Sequence, residues 1–345
     1  MEPGDRVVPR SGLPTVSALV PSYRRRTQLE TCVRALLADP ATSEVVVAID
    51  GSGDGSLELT SRLAAEDGRV VAFEQVHAGT NAARAAAAQM ATGEVLLFMD
   101  DDVVAGKELV TGHALRHRDA RRLVVVGYMP VVAIRGDRAS RVLASIYARE
   151  YEAHCEEIEA DPRLILLHLW GGNVSLRRED FFSVDAGPWE LEHEDQYLGV
   201  CCYKAGLTGV FDRSLYAEHQ YQRDADGFLR SARNRGEATW RLHVLYPQLL
   251  GVLNPDWAST GLGVPAGWLV RWAATPQRSR HVTGPLVLSA RAAHAIGFTG
   301  FESAAYRLAR RVELQVGTDL SIATGVRAPG HANGPGASSH GVESL

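Results

Sequence analysis

The first part of the chain alternates between short apolar runs and longer segments in which apolar residues recur at helical spacing. This pattern predicts, in chain order, a strand at 15–20, a helix at 27–38, a strand at 44–49, a helix from 56 to 65, a strand at 70–73 and a helix at 82–91. Thr27 is expected to cap the first helix. Such an alternation implies an α/β fold, in which a mostly parallel sheet is flanked by helices.

A fourth predicted strand, residues 94–99, ends in three consecutive carboxylates, Asp100, Asp101 and Asp102. Ligands of open α/β sheets bind beyond the carboxyl ends of the strands, so the acid triplet lies where a site is expected. No Lys or Arg occurs within four residues of it. A divalent cation such as Mn²⁺ or Mg²⁺, bound together with a phosphorylated ligand, would neutralise the repulsion. The alternative is a solvated acidic turn that caps the next helix.

Beyond the triplet the pattern is less regular. A helix over 106–118 places His113 and His117 one turn apart, which we interpret as an exposed face rather than a metal site. Gly171, Gly172 and Asn173 precede an apolar strand, either because a ligand approaches the backbone there or because the chain simply turns. Further helices are predicted at 139–160, from 192 to about 205, at 224–246, at 286–297 and at 301–316, and a further strand near 207–211.

The acids at the start of the helix that opens with Glu192, His193, Glu194 and Asp195 have two interpretations. Acids in a first helical turn commonly cap the helix or interact with its dipole, and they can equally be catalytic. His219 lies in a polar segment, and a lone histidine there is usually without function. We divide the chain into a flexible arm at 1–14, a main domain at 15–246, a helical C-terminal extension at 247–327 and a disordered tail at 328–345.

Composition excludes several classes of protein. The 345 residues carry a net charge of −5, which argues against broad binding to nucleic acid. The four cysteines show neither metal-ligand spacing nor a disulfide framework. The sequence has no signal-peptide pattern and no window of about 18 apolar residues, so we expect a cytoplasmic protein without a transmembrane segment.

Six motifs, taken in their order along the chain, resemble the motifs of a known family. They are Val-Pro-Ser-Tyr after the first strand, Asp-Gly-Ser-Gly-Asp-Gly-Ser after the second, Gly-Thr-Asn-Ala-Ala-Arg at the third helix, Met-Asp-Asp-Asp, Gly-Gly-Asn-Val-Ser-Leu-Arg and Glu-Asp-Gln-Tyr-Leu-Gly. With them, residues 15–245 resemble the large second family of inverting nucleotide-sugar glycosyltransferases, which have the GT-A fold. The resemblance implies a metal-dependent transfer of sugar from a nucleoside diphosphate sugar, UDP-type favoured, to an acceptor hydroxyl.

The resemblance also implies roles for individual residues. Pro21 and Tyr23 match residues of the nucleobase pocket, Asp50 the acid that accepts a hydrogen bond from uracil, and Arg84 a basic residue near the donor. Asp100, Asp101 and Asp102 match the acidic DXD motif that holds the ribose and the metal-bound diphosphate, with Asp102 as the direct ligand of Mn²⁺ or Mg²⁺. Gly171, Gly172 and Asn173 match a loop beside the acceptor, with Glu194 on the same side. Asp195 matches the general base, and His219 a histidine that in some relatives helps to bind the metal.

One departure from the family pattern is that the usual paired acids after the second strand are here Ile49 and Asp50, which leaves the base preference open. The acceptor is unassigned: a glycan, a lipid-linked sugar or a small molecule. Two rival functions remain, a nucleotidyltransferase on a similar sheet and a catalytically silent protein that binds sugar nucleotides. A third possibility, compatible with transfer to a lipid-linked acceptor, is peripheral contact of the helices at 286–316, with Arg307, Arg310 and Arg311, at the inner face of the membrane.

Overall fold

The computed structural model describes residues 12–133, 138–184 and 194–325. The strands within these residues are β1 Val16–Ser22, β2 Thr42–Asp50, β3 Val70–Gln75, β4 Val95–Met99, β5 Val103–Ala105, β6 Leu123–Tyr128, β7 Val131–Ala133, β8 Asn173–Arg177 and β9 Thr208–Tyr221. The helices are α1 Arg26–Leu37, α2 Ser56–Glu66, α3 Thr80–Met90, α4 Leu109–His117, α5 Arg138–Ala160, α6 Leu164–Leu167, α7 Arg178–Ser183, α8 Glu194–Lys204, α9 Ala225–Leu245, α10 Pro247–Leu250, α11 Val264–Trp272, α12 Pro276–Ala295 and α13 Thr299–Ala323.

The strands form a mixed sheet in the order β3-β2-β1-β4-β8-β6-β9-β5, and β7 also pairs with β9. β3, β2, β1 and β4 are parallel neighbours, whereas β8 runs antiparallel to both β4 and β6. The predicted α/β fold with a mostly parallel sheet and a helical C-terminal region is therefore confirmed. Because β1 and β4 are adjacent, the segments that follow them meet at one edge of the sheet.

Two apolar cores lie on the two faces of the sheet. Side chains of α1 and α2 pack with Val45, Val47 and their neighbours in one core. Alanines of α3 pack with Leu96, Phe98 and the facing residues of β8 in the other. All five residues of β4 are buried, as expected for a strand covered on both faces.

Two local expectations are wrong. α1 begins at Arg26 and has no side-chain cap, so Thr27 lies inside the helix rather than at its N-cap. β9 continues to Tyr221, well beyond the predicted end near residue 211. Its second half pairs with β5 and β7, and neither of these three-residue strands is long enough to give a recognisable apolar period. As a result, His219 lies within the sheet.

The chain divides into two compact units. One comprises the residues up to Phe228 together with Leu286–Arg307, and the other comprises Leu229–Pro285 together with the residues from Leu308 onward. In the second unit α9 and α13 cross closely, since a Cβ on Gly317 would come within 1.9 Å of the carbonyl oxygen of Arg233. The predicted division at 246 stays a prediction, and residues 1–11 of the predicted arm and the predicted tail at 328–345 lie outside the described residues. None of the described helices combines the length and hydropathy that crossing a bilayer requires.

Candidate functional site

Two acids of the triplet contact an arginine that is distant in sequence. Nη1 of Arg25 lies 3.0 Å from Oδ1 of Asp101 and 2.5 Å from Oδ2 of Asp102. Ser22 donates its hydroxyl to the other oxygen of Asp101 at 2.8 Å. A search for basic residues next to the triplet misses Arg25, which follows β1. The sequence signal that could have revealed this arginine is the basic run Arg24-Arg25-Arg26 shortly after β1, because β1 is the neighbour of β4.

The acids of the triplet differ in their protonation. Burial raises the pKa of Asp101 to about 7, against the opposing charge of Arg25. Burial also acts to raise the pKa of Asp102, but the neighbouring His219 and the charge of Arg25 outweigh it and hold that pKa below its ordinary value. The pKa values of this buried pair are therefore pushed in opposite directions, and the charged form is favoured at Asp102.

Arg84 of α3 joins the first acid of the triplet to Asp195 of α8. Its guanidinium donates from Nη2 to Oδ1 of Asp100 and from Nη1 to Oδ1 of Asp195, each at 2.6 Å. The backbone N–H of Gly171 donates to Oδ2 of Asp195 at 2.9 Å. Arg84 is buried, whereas the side chains of Asp100 and Asp195 are 31% and 25% exposed. Both carboxylates are thus fixed in orientation and still reachable from solvent.

The two glycines before β8 are required by these carboxylates. A Cβ on Gly171 would lie 2.3 Å from Oδ1 of Asp195, and one on Gly172 would lie 2.8 Å from Oδ2 of Asp100. Gly172 also has a φ of +99°, which disfavours other residues, and its carbonyl accepts from the N–H of Asp100 at 3.4 Å. The groups that lie close to the backbone of Gly171 and Gly172 are thus the carboxylates of Asp195 and Asp100.

His113 and His117 are completely buried, so the prediction that they form an exposed face is wrong. They face β8: His113 contacts Ser175 at 2.7 Å and Asn173 at 2.9 Å, and His117 contacts Ser175 at 2.8 Å. Asn173 donates its amide to the carbonyl of Leu215, so its oxygen accepts from Nε2–H of His113. The Ser175 hydroxyl then donates to Nδ1 of His113 and accepts from His117.

This hydrogen-bond order requires His113 to be neutral, because its Nδ1 accepts from Ser175, and burial favours the neutral form of both histidines. Burial lowers the pKa of His113 to about 4, and burial together with the neighbouring His113 ring and the charge of Arg177 lowers that of His117 to about 3. The network fixes the amide of Asn173, directly after the glycines that hold Asp195 and Asp100. Helical spacing alone could not reveal it, because the partners lie on a strand about 60 residues away.

A cleft of about 310 Å³ brings most of the predicted donor-side residues together with Asp195. Its lining includes Pro21, Tyr23, Asp50, Thr80, Arg84, Asp100, Asp101 and Asp195, and also Ser22, Arg25 and Arg223, which sequence reasoning did not single out. Asp102, His219, Gly171, Gly172 and Asn173 lie outside this lining. Glu194 begins α8, but its side chain is outside the described part of the chain.

Asp50, which lines the cleft, has both carboxylate oxygens occupied. Oδ1 accepts from Gln75 and from the N–H of Ala78, and Oδ2 accepts from the N–H of Gly79 and lies 2.8 Å from Nδ1 of His77. Burial opposes ionisation, but these donors lower the pKa of Asp50 below its ordinary value. Asp50 thereby holds the loop at His77, whose ring stacks on Tyr23 with centroids 4.3 Å apart.

His219 and Asp102 form the candidate metal centre. Nε2 of His219 lies 3.6 Å from Oδ2 of Asp102, and both side chains are almost fully buried. Among the described residues Nδ1 of His219 has no hydrogen-bond partner, and no group of three His, Cys, Asp or Glu side chains could by itself hold a metal ion. One carboxylate and one imidazole fit a Mn²⁺ or Mg²⁺ ion whose other ligands come from substrate phosphates and water, because such ions commonly take only one or two protein ligands.

Comparisons with known proteins agree with this fold. Residues 17–182 match the model of the family glycosyl transferase family 2. Over 144 residues the chain is 28% identical to the uncharacterized glycosyltransferase YfnE of Bacillus subtilis (strain 168), covering 41% of this chain and 34% of that protein. The chain thus spans about a third of the length of this curated relative.

Two solved structures share the fold. The mannosyltransferase PcManGT from Pyrobaculum calidifontis, in complex with GDP-Man and Mn²⁺, has a TM-score of 0.51 and 15% identity over 89% of each chain. GalNAc-T7 with UDP, GalNAc and Mn²⁺ has a TM-score of 0.50 and 14% identity over 73% of this chain and 52% of that chain. Residues 17–182 therefore resemble glycosyl transferase family 2, and the architecture of the chain is the GT-A fold of glycosyltransferases.

Proposed function

We propose that this chain transfers a sugar from a nucleoside diphosphate sugar to an acceptor hydroxyl, with inversion at the anomeric carbon. One observation carries the proposal: a single guanidinium, that of Arg84, bridges the candidate base Asp195 and the acid triplet at Asp100. A carboxylate that can accept a proton is thereby held beside a cluster suited to a diphosphate and its cation. Binding a sugar nucleotide without chemistry would not require this arrangement.

Asp195 acts in this proposal as the general base. Each of its oxygens accepts one hydrogen bond from Arg84 or Gly171 and keeps a further lone pair for the proton of the acceptor hydroxyl. The acceptor oxygen forms the new bond to the anomeric carbon while the bond to the diphosphate oxygen breaks, and the diphosphate leaves with the electron pair. Fixing the carboxylate by two donors lowers the cost of reaching the reactive geometry.

The donor lies along the cleft in this proposal. Tyr23 and its stacked partner His77 offer a π surface for a nucleobase at the end held by Asp50, and Arg25 and Arg223 place positive charge where the diphosphate leaves. A uracil contact to Asp50 would have to displace one of its four present donors. UDP remains the favoured nucleotide, on the resemblance of the motifs.

A divalent cation fits at Asp102 and His219. When bound, Mn²⁺ or Mg²⁺ would supply positive charge that stabilises the leaving diphosphate. Arg25 shares Oδ2 of Asp102 in this structure, so its guanidinium would keep its contact with Asp101 and release Asp102. The related structures of PcManGT and GalNAc-T7 both contain Mn²⁺, which supports this assignment.

The test begins with a thermal-shift panel of UDP- and GDP-sugars, each with Mn²⁺ and with EDTA, because ligand binding raises apparent stability. Donor turnover is then followed as released nucleoside diphosphate, with and without a mixture of sugar acceptors. Asp195→Asn keeps the shape of the side chain but removes the proton acceptor, so turnover should fall by about 10²–10⁴, while the donor-induced shift persists.

Other outcomes would change either the assignment of the base or the function. Full turnover in Asp195→Asn would mean that another group is the base. Donor binding without any turnover, over the whole acceptor mixture, would favour the silent sugar-nucleotide-binding protein. Release of inorganic pyrophosphate from a nucleoside triphosphate, in place of nucleoside diphosphate from a sugar donor, would favour a nucleotidyltransferase.

A further inference from the structure

A long segment near the C-terminal end of the described chain contains no acidic residue. Residues 257–301 include four arginines, Arg271, Arg278, Arg280 and Arg291, and neither Asp nor Glu, in a chain whose net charge is −5. The segment is also unusually rich in exposed large apolar side chains. They are Val264, Trp268, Trp272, Leu288, Ile296, Phe298 and Phe301.

α11 presents these features on one face. Val264, Trp268 and Trp272 follow one another at four-residue spacing, and they are 84%, 58% and 40% exposed. The opposite face, with Gly267 and Val270, is buried. A nine-residue helix therefore has one face in the protein core and one apolar face turned to solvent.

Aromatic and cationic groups are combined on the exposed face. The rings of Trp268 and Trp272 are stacked with centroids 6.1 Å apart, and the guanidinium of Arg278 lies over Trp272 at 5.6 Å from its centroid. Arg280 follows on α12 and is exposed. Tryptophan is enriched at the interface between lipid headgroups and acyl chains, where its apolar ring and polar N–H are both accommodated.

We propose that the exposed face of α11, with Arg278 and Arg280, docks on a membrane surface rich in anionic lipid. The apolar side chains enter the headgroup boundary, and the arginines pair with lipid phosphates. Charge complementarity selects this occupant: an acid-free, cationic segment attracts an anionic surface, whereas a second copy would bring two cationic faces together. This differs from docking through Arg307, Arg310 and Arg311, because Arg310 is buried and Arg311 donates to the carbonyl of Ala258.

The test is co-sedimentation of the full chain with vesicles of phosphatidylcholine alone, and of phosphatidylcholine mixed with phosphatidylglycerol. The chain should sediment with the anionic vesicles only, and added salt should weaken this binding. Arg280→Gln should lower the partition coefficient about fivefold, as expected for one cationic residue at the surface. The double variant Trp268→Ser/Trp272→Ser should lower it on the order of tenfold or more.

Matched variants elsewhere control for general loss of charge or apolar surface. Phe182→Ser removes a ring of similar exposure outside the segment, and Arg118→Gln removes an exposed arginine; neither should change the partition coefficient. If the double variant fails to fold, quenching of tryptophan fluorescence by brominated lipid serves instead. Trp268→Phe should then remove a measurable part of the quenching.

Three results would overturn the proposal. The first is equal binding to both kinds of vesicle, or to neither. The second is anionic binding that the tryptophan and Arg280 variants leave unchanged. The third is a wild-type dimer in light scattering that becomes a monomer in Trp268→Ser/Trp272→Ser, which would make the face an interface between copies.

Discussion

Replacing Gly171 by alanine should displace the candidate base without disturbing the fold. The added Cβ would lie 2.3 Å from Oδ1 and 2.5 Å from Cγ of Asp195. Gly171 is not among the glycines with positive φ, so alanine is compatible with its backbone conformation. The side chain of Asp195 is partly exposed and can therefore move away towards solvent.

The size of the displacement follows from the contact distances. Ordinary van der Waals contact begins at 3.4 Å, about 1.1 Å beyond the present separation, so the carboxylate must retreat by roughly that amount. The hydrogen bond from Gly171 N–H, now 2.9 Å, would then be lost. A misplacement of about 1 Å in a reacting group lowers a rate by about 10²-fold.

The assay compares three proteins by donor turnover, donor affinity and melting temperature. Gly171→Ala should lose about 10²-fold in turnover, with donor affinity and melting temperature nearly unchanged. Gly68→Ala is the matched control, because its Cβ would meet no atom within 4 Å and its φ is not positive. It should behave as the wild type in all three measurements.

Full turnover in Gly171→Ala would contradict the assignment of Asp195 as the base, because a base displaced by about 1 Å could not support the full rate. A large loss of donor affinity with unchanged turnover at saturation would place Asp195 on the donor side instead.

Three further predictions concern other parts of the chain. The folded-state pKa values of His113 and His117 lie below the ordinary 6.5. Their contribution to the free energy of unfolding is therefore fully present above about pH 6.5 and is lost as the pH falls towards the folded-state values. Urea unfolding should show a loss of roughly 2 kcal/mol per histidine between about pH 6.5 and 5. His117→Gln should reduce that slope, and an unchanged slope would contradict the buried neutral pair. Calorimetry should show Mn²⁺ tightening UDP binding in the wild type but not in Asp102→Asn, and equal wild-type affinity with Mn²⁺ and EDTA would exclude the metal site. Gly317→Ala should destabilise the chain by about 1–3 kcal/mol through overpacking, whereas Gly284→Ala, in open space within α12, should stabilise it slightly; similar melting temperatures would disprove the close helix crossing.

Local patterns in the sequence account for most of the fold. The apolar run before Asp100 predicts a strand buried on both faces, and β4 is one, because such a run can avoid water only between two layers. The strand and helix order of the first hundred residues follows from the same periodicities. The position of Asp195 in the first turn of a helix also follows from sequence. Its role as a base stays a prediction.

Tertiary structure decides which distant residues meet. Arg25 contacts Asp101 and Asp102 because β1 and β4 are neighbours in the sheet, which no count of charges along the chain can show. The late end of β9 likewise depends on pairing with two strands that are too short to recognise.

His113 and His117 show the same limit most clearly. The sequence by itself determines the apolar periods, the strand ends at which acids gather and the order of the motifs, because these depend on residues close along the chain. It leaves undecided whether a polar side chain on a helix faces water or a partner. That choice depends on Asn173 and Ser175, some 60 residues away. A buried hydrogen-bonded histidine and an exposed one satisfy the same helical pattern, and the packed structure alone provides the partners that distinguish them.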